Sequence, residues 1–121
     1  MKIEEISQVY FIGIGGIGMS ALARYFNGRA IYCCGYDKTE TELTRKLENE
    51  GIEIHYKDNI ELIPKRIFDP KKTLVVFTPA VPSDQGELQY FKTNGYHLSK
   101  RAEVLGIISK NSFCIAIAGT H

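Results

Sequence analysis

The chain has 121 residues, a formal net charge of +1 at pH 7 and 44% hydrophobic residues. This length predicts one domain with a substantial core, and the near-neutral charge excludes the broad basic field typical of nucleic-acid binding. The sequence has no apolar run of 18 residues, and Glu4 and Glu5 do not fit a signal peptide. We therefore expect a cytoplasmic domain with neither a nucleic-acid partner nor a membrane partner.

The three cysteines are an odd number, which argues against a secreted disulfide framework. Cys33 and Cys34 are neighbours on a predicted strand, so their side chains should point to opposite faces of the sheet. Their spacing does not match that of a metal site. We expect buried thiols in a reducing compartment.

The stretch Val9–Leu22, VYFIGIGGIGMSAL, predicts a buried strand, a glycine-rich turn and the start of a helix. Gly13, Gly15 and Gly18 follow the G-x-G-x-x-G spacing of loops that bind a diphosphate at a helix N-terminus. Asp37 ends the next apolar run, where a carboxylate can accept hydrogen bonds from ribose hydroxyls. The pattern predicts a site for a diphosphate and a ribose. A ligand-free glycine turn and an ordinary turn aspartate are the alternatives.

Further strands and helices alternate along the chain, which predicts a parallel, doubly wound sheet with helices on both faces. The expected fold class is α/β and Rossmann-like, with about five strands in the order 3-2-1-4-5. In that order, the loops at 15–20 and 78–82 meet where the strand order reverses, the usual ligand position. The strands are predicted at 8–14, 30–36, 52–55, 73–77 and 96–98, with a further strand at 113–118.

Side chains that accept hydrogen bonds from backbone amides predict where three helices begin. Thr39 with Glu42, and Asp84 with Glu87, have the spacing of capping boxes. Ser99 is predicted to cap the helix that carries Lys100 and Arg101. Two cations in a first turn oppose the helix dipole, which hints at an anion nearby, although a solvated surface pair is the alternative.

Two segments resemble the Mur ligases. GIGGIGMSALA, at 13–23, resembles their amino-terminal glycine loop, and Gly16 with Met19–Ser20 goes beyond the general dinucleotide pattern. FCIAIAGTH, at 113–121, resembles the strand and opening of their ATP-binding loop. Similar Thr78–Ala80 and Arg101–Glu103 segments lie between them, so the resemblance spans almost the whole chain.

The resemblance implies a UDP-sugar-binding domain at residues 1–110. Residues 111–121 would be a linker and the first strand of a truncated ATP-binding central domain. The implied parent enzyme uses ATP and magnesium to join L-alanine to UDP-N-acetylmuramate in peptidoglycan precursor synthesis. The fragment itself would bind UDP-N-acetylmuramate, catalyse nothing and require no cofactor. A sister ligase that acts on the same nucleotide sugar remains an alternative.

The resemblance also implies site residues. Those for the UDP-sugar are Gly15, Gly16, Ile17, Gly18, Met19, Ser20, Asp37, His55, Thr78 and Arg101. Those for ATP are Gly119, Thr120 and His121. Thr78 could instead be an ordinary strand-end residue, and His55 a surface residue. The sequence shows no recognisable catalytic triad and no metal cluster.

Two functions from other classes fit the glycine loop. An NAD(H)-binding domain of an oxidoreductase or redox sensor would use the same glycines and Asp37. The Gly15–Gly16 doublet and the second nucleotide loop at 119–121 argue against it. A degenerate module that only contacts other proteins is the third possibility.

Overall fold

The computed structural model describes residues 3–111. They form a five-stranded, all-parallel sheet in the order β3-β2-β1-β4-β5, so the predicted fold class and strand order are confirmed. The strands are β1 Gln8–Ile12, β2 Tyr32–Tyr36, β3 Glu53–His55, β4 Thr73–Phe77 and β5 His97–Lys100. The helices are α1 Ile17–Asn27, α2 Glu42–Asn49, α3 Gly86–Thr93 and α4 Arg101–Asn111.

Helices cover both faces of the sheet, because the buried strands carry apolar side chains on both sides. One core layer joins β1, β2 and β4 to α1, α2 and α4. The other joins the same strands to α3 and to two short 3-10 turns, Ile60–Leu62 and Lys65–Ile67. Pro64 separates these turns, as expected of a residue without an amide proton.

The two cysteines of β2 lie in different core layers. Cys33 packs in the layer of α1, and Cys34 packs in the layer of α3. Burial raises the pKa of the Cys33 thiol to about 12 and raises that of Cys34 well above its ordinary value. The prediction of buried thiols on opposite faces is therefore confirmed.

The strand order reverses between β1 and β4, which pair through Phe11 and Val76. On the other side of β1, Ile12 pairs with Tyr36. Gly13 ends β1 with φ +88°, a conformation that favours glycine. The loop after β1 therefore turns sharply into α1 beside the loop that follows β4.

Several predicted element ends were wrong for local reasons. The second strand begins at Tyr32, because Ala30 has φ +62° and the chain turns there. The capping box of α2 is formed by Thr41 and Thr44. Ser99 belongs to β5 rather than to a helix cap. The strand predicted at 113–118 lies outside the described residues.

Candidate functional site

A cleft of about 400 Å³ opens at the carboxyl ends of β1, β2 and β4. The glycine loop and α1 form one wall, and the loop after β4 forms the other. It therefore lies where ligands bind in doubly wound sheets. Its lining residues are Ile12, Gly13, Gly16, Met19, Tyr36, Asp37, Lys38, Thr78, Ala80, Val81, Pro82 and Gln85.

The N-terminus of α1 presents unpaired amides at this cleft. Gly16 is the N-cap residue, and it makes no side-chain cap. The amide of Ser20 is the first in the helix that donates a hydrogen bond, to the Gly16 carbonyl at 2.8 Å. Within residues 3–111, the amides of Ile17, Gly18 and Met19 have no hydrogen-bond acceptor. These donors and the positive end of the helix dipole favour an anion.

Asp37 fastens the glycine loop. Its Oδ2 atom accepts a hydrogen bond from the Gly15 amide at 2.8 Å, and its Oδ1 accepts one from the Thr39 amide at 3.1 Å. A Cβ on Gly15 would lie 2.7 Å from the same Oδ2. Gly15 is therefore needed for the close approach of the Asp37 carboxylate, and its amide is not free for a phosphate.

The other loop residues predicted as ligand contacts differ in exposure. Met19 is buried but lines the cleft. Ser20 is buried, and its hydroxyl donates to the Ile17 carbonyl at 2.8 Å. The side chain of Ile17 is 86% exposed, away from the core. For Ile17, the amide is thus the group offered at the mouth of the helix.

Two further predicted residues come from the other half of the sheet. Thr78 lies half-buried in the cleft wall, where its carbonyl accepts from the Val81 amide at 3.0 Å. Arg101 begins α4, and its guanidinium lies against Gly18 in the first turn of α1. The topology thus brings Asp37, Thr78 and Arg101 to one edge of the sheet with the glycine loop.

His55 takes part in a buried polar cluster that sequence reasoning missed. Its Nε2 atom lies 2.6 Å from Oε2 of Glu87 and 3.2 Å from the Tyr10 hydroxyl. The same Glu87 accepts from the Tyr10 hydroxyl at 2.5 Å and from the Asn59 amide at 3.2 Å. Glu87 is fully buried, so the sequence-based assignment of this residue to a helix cap was wrong.

The residues that cap α3 are not the predicted Asp84 and Glu87. Asp58 accepts hydrogen bonds from the amides of Gly86 and Glu87, at 2.8 and 3.0 Å. The Oε1 atom of Gln85 accepts from the Leu88 amide at 2.7 Å. Sequence spacing could not find Asp58, because it precedes α3 by a whole strand and two turns.

Burial, with the negative charge and hydrogen bond of Glu87, raises the pKa of Tyr10 above its ordinary value. Tyr10 therefore stays protonated and donates to Glu87. Tyr36 packs over His55, with ring centroids 5.8 Å apart, and also lines the cleft. The cluster thus contacts the cleft through Tyr36, and its own polar groups do not line the cleft.

A sequence model described as "Mur ligase family, catalytic domain" matches residues 8–113. The chain belongs to the Mur ligase family. A UDP-N-acetylmuramate–L-alanine ligase of Flavobacterium psychrophilum is 58% identical over the whole chain, which covers 27% of that protein. One from Porphyromonas gingivalis is 53% identical over 96% of the chain and 25% of its own length.

A solved structure is also similar to this Mur ligase chain. The crystal structure of UDP-N-acetylmuramate–alanine ligase from Thermotoga maritima matches 86% of the chain and 23% of its own, with a TM-score of 0.76 and 31% identity. The chain thus spans about a quarter of the length of the relatives it matches. None of these comparisons supports the oxidoreductase alternative.

The sequence predictions about ATP, metal ions and a membrane do not concern this cleft. The predicted ATP residues Gly119, Thr120 and His121 are beyond the described residues. In the range 3–111, no three His, Cys, Asp or Glu side chains are grouped to hold a metal ion. No helix in that range combines the length and apolarity needed to cross a membrane.

Proposed function

We propose that this chain is the UDP-N-acetylmuramate-binding domain of an ATP-dependent ligase that adds L-alanine to that nucleotide sugar. The observation that carries the proposal is the uncapped N-terminus of α1, whose free amides border the cleft. The names of the two bacterial relatives and of the Thermotoga maritima structure support the choice of this substrate. The domain would span residues 1–110 in a cytoplasmic enzyme.

In this proposal, the diphosphate binds at the amides of Ile17, Gly18 and Met19. Backbone donors and a helix dipole are already oriented, so they stabilise the anion with little reorganisation. Gly16 adds no side chain between them and the cleft. The approach of the phosphates to the main chain is therefore unobstructed.

The nucleoside would lie toward Asp37. Each Asp37 oxygen already accepts one backbone hydrogen bond, and each retains capacity for a second. A ribose hydroxyl can therefore donate to this carboxylate without breaking the loop. Thr78, on the opposite wall, offers a hydroxyl to the same ligand, and Arg101 offers a guanidinium at the phosphate end. His55 would contribute to the site by supporting the ring of Tyr36, which lines the cleft.

The chemistry of the proposed parent ligase would lie outside this domain. ATP activates the carboxylate of UDP-N-acetylmuramate for attack by the amine of L-alanine, with magnesium assisting. Gly119, Thr120 and His121 would begin the ATP loop. The chain by itself would hold the acceptor substrate and perform no step of the reaction.

Isothermal calorimetry with UDP-N-acetylmuramate tests the proposal. We expect binding to the chain, loss of binding in Gly16→Leu, and no loss in Gly106→Leu. Gly16 borders the cleft, whereas a Cβ on Gly106 meets nothing within 4 Å. ATP and L-alanine should give no phosphate release with the chain alone. Absence of binding at millimolar nucleotide sugar, or binding of NADH in its place, would overturn the proposal.

A further inference from the structure

The backbone does not require glycine at position 18. Gly18 is the second residue of α1, and its φ lies outside the left-handed region, unlike that of Gly13. A glycine in a helix is less favourable than an alanine, because it loses more backbone entropy on folding. Another feature of the structure must therefore account for the missing Cβ.

The guanidinium of Arg101 occupies the space that a Cβ would fill. A Cβ on Gly18 would lie 2.7 Å from Nη1 and 2.9 Å from both Cζ and Nε of Arg101. These distances are shorter than real Cβ contacts, so an alanine at position 18 must displace Arg101. At Gly16, by contrast, the nearest atom to a Cβ would be the Gly13 carbonyl oxygen at 3.6 Å.

Arg101 is held at a position that disfavours a cation. It is the first residue of α4, and its guanidinium lies at the first turn of α1, so it is near the positive ends of two helix dipoles. The side chain is half-buried. Within the part of the chain that the structure describes, it makes no hydrogen bond and no ion pair. An anion bound there would offset this accumulated positive charge.

We propose that Gly18 is a positioning residue for Arg101. It seats the guanidinium beside the free amides of Ile17 and Met19, so that both kinds of donor bind the same phosphate. This inference rests on the proposed function, because the phosphate belongs to the nucleotide sugar. It assigns Gly18 a role distinct from the usual one of the third loop glycine, which is to let helix and strand pack closely.

A double-mutant cycle tests the inference. The four proteins are the unmodified chain, Gly18→Ala, Arg101→Ala and the double variant, and Gly106→Ala is the matched glycine control. Calorimetry measures their affinities for UDP-N-acetylmuramate, UDP and uridine. We expect each single change at 18 or 101 to weaken UDP binding about tenfold, since a hydrogen bond to a charged group is lost.

The cycle separates positioning from packing. If Gly18 acts through Arg101, Gly18→Ala weakens UDP binding in the unmodified chain but has little effect once Arg101 is alanine. Uridine binding should be unchanged in every variant, because uridine carries no phosphate. The melting temperature of Gly18→Ala should equal or exceed that of the unmodified chain, as for Gly106→Ala.

Two results would overturn the inference while leaving the proposed function intact. One is an equal loss of UDP affinity on Gly18→Ala in both backgrounds, and the other is unchanged UDP affinity in Arg101→Ala. If the unmodified chain binds no nucleotide sugar, the proposed function fails separately. Inorganic pyrophosphate then serves as the probe, and equal affinity for the unmodified chain and Gly18→Ala refutes the positioning role.

Discussion

Two helix N-termini lie on opposite sides of the same cleft and differ in whether their first amides are hydrogen-bonded within the protein. At α3, Asp58 and Gln85 accept hydrogen bonds from the first amides of the helix. At α1, Gly16 offers no acceptor and the first amides stay free. A helix terminus is therefore available to a ligand only where the protein does not use it for its own stability.

The buried polar cluster behind the cleft shows the same contrast between stability and ligand binding. Glu87, in the first turn of α3, is fully buried and bonded to Tyr10, His55 and the Asn59 amide. This buried carboxylate, with its three polar contacts, ties β1, β3 and α3 together. We therefore expect changes at the α3 terminus to alter stability, and changes at the α1 terminus to alter binding.

The largest expected effect is on stability, from Glu87→Ala. Removing the carboxylate leaves the Tyr10 hydroxyl and the Asn59 amide without their acceptor and opens a cavity. We expect the free energy of unfolding to fall by about 3 kcal/mol in urea titrations. Glu61→Ala, on an exposed glutamate, should change it by less than about 0.5 kcal/mol. Similar losses for both variants would contradict the importance of the cluster.

The next prediction closes the open terminus with Gly16→Ser. Gly16 has φ −67° and ψ 149°, which suits a capping side chain, and a Cβ there meets only ordinary contacts. The serine hydroxyl should accept from a first-turn amide of α1 and raise stability by a few tenths of a kcal/mol. Because that amide is then occupied, affinity for UDP should fall about tenfold.

Gly16→Ala is the control for that variant, since it adds a Cβ without an acceptor. Thermal unfolding and UDP calorimetry on the two variants separate capping from bulk. If serine and alanine weaken UDP binding equally, the free amides of α1 are not the binding donors.

The converse variant, Asp58→Ala, opens the closed terminus of α3. It exposes the amides of Gly86 and Glu87, and we expect it to reduce the free energy of unfolding by about 1 kcal/mol. Affinity for UDP should not change, because these amides are not the ones assigned to the phosphate. A change in UDP affinity as large as that of Gly16→Ser would show that the α3 terminus also takes part in binding.

The last prediction concerns alkaline pH, and its effect is absent near neutral pH. The pKa of Tyr10 is raised on folding by burial and by Glu87, so its contribution to stability is present below pH 10 and is lost as the pH rises further. Unfolding in urea between pH 8 and 11 measures this dependence. Tyr10→Phe should remove up to about 1.4 kcal/mol per pH unit from the slope above pH 10. An unchanged slope would show that Tyr10 titrates alike in both states.

Sequence patterns predicted the strand order because each strand is a compact apolar run, and Thr73–Phe77 was placed at its observed bounds. They also predicted the cleft, since the strand order itself determines where the loops meet. What they could not supply depends on contacts between distant segments. Asp58 caps α3 by accepting a hydrogen bond from the amide of Gly86, which lies 28 residues later in the sequence. The Cβ space of Gly18 is filled by a side chain from α4.

The neighbouring thiols of β2 provide a means of observing each layer of the molecule separately. Cys33 and Cys34 are adjacent in sequence, yet each is enclosed by a different set of helices. Alkylation of either thiol requires the layer above it to open transiently. Peptide mapping after timed labelling would therefore compare the opening rates of the two halves of one sheet, with reporters that the chain already carries.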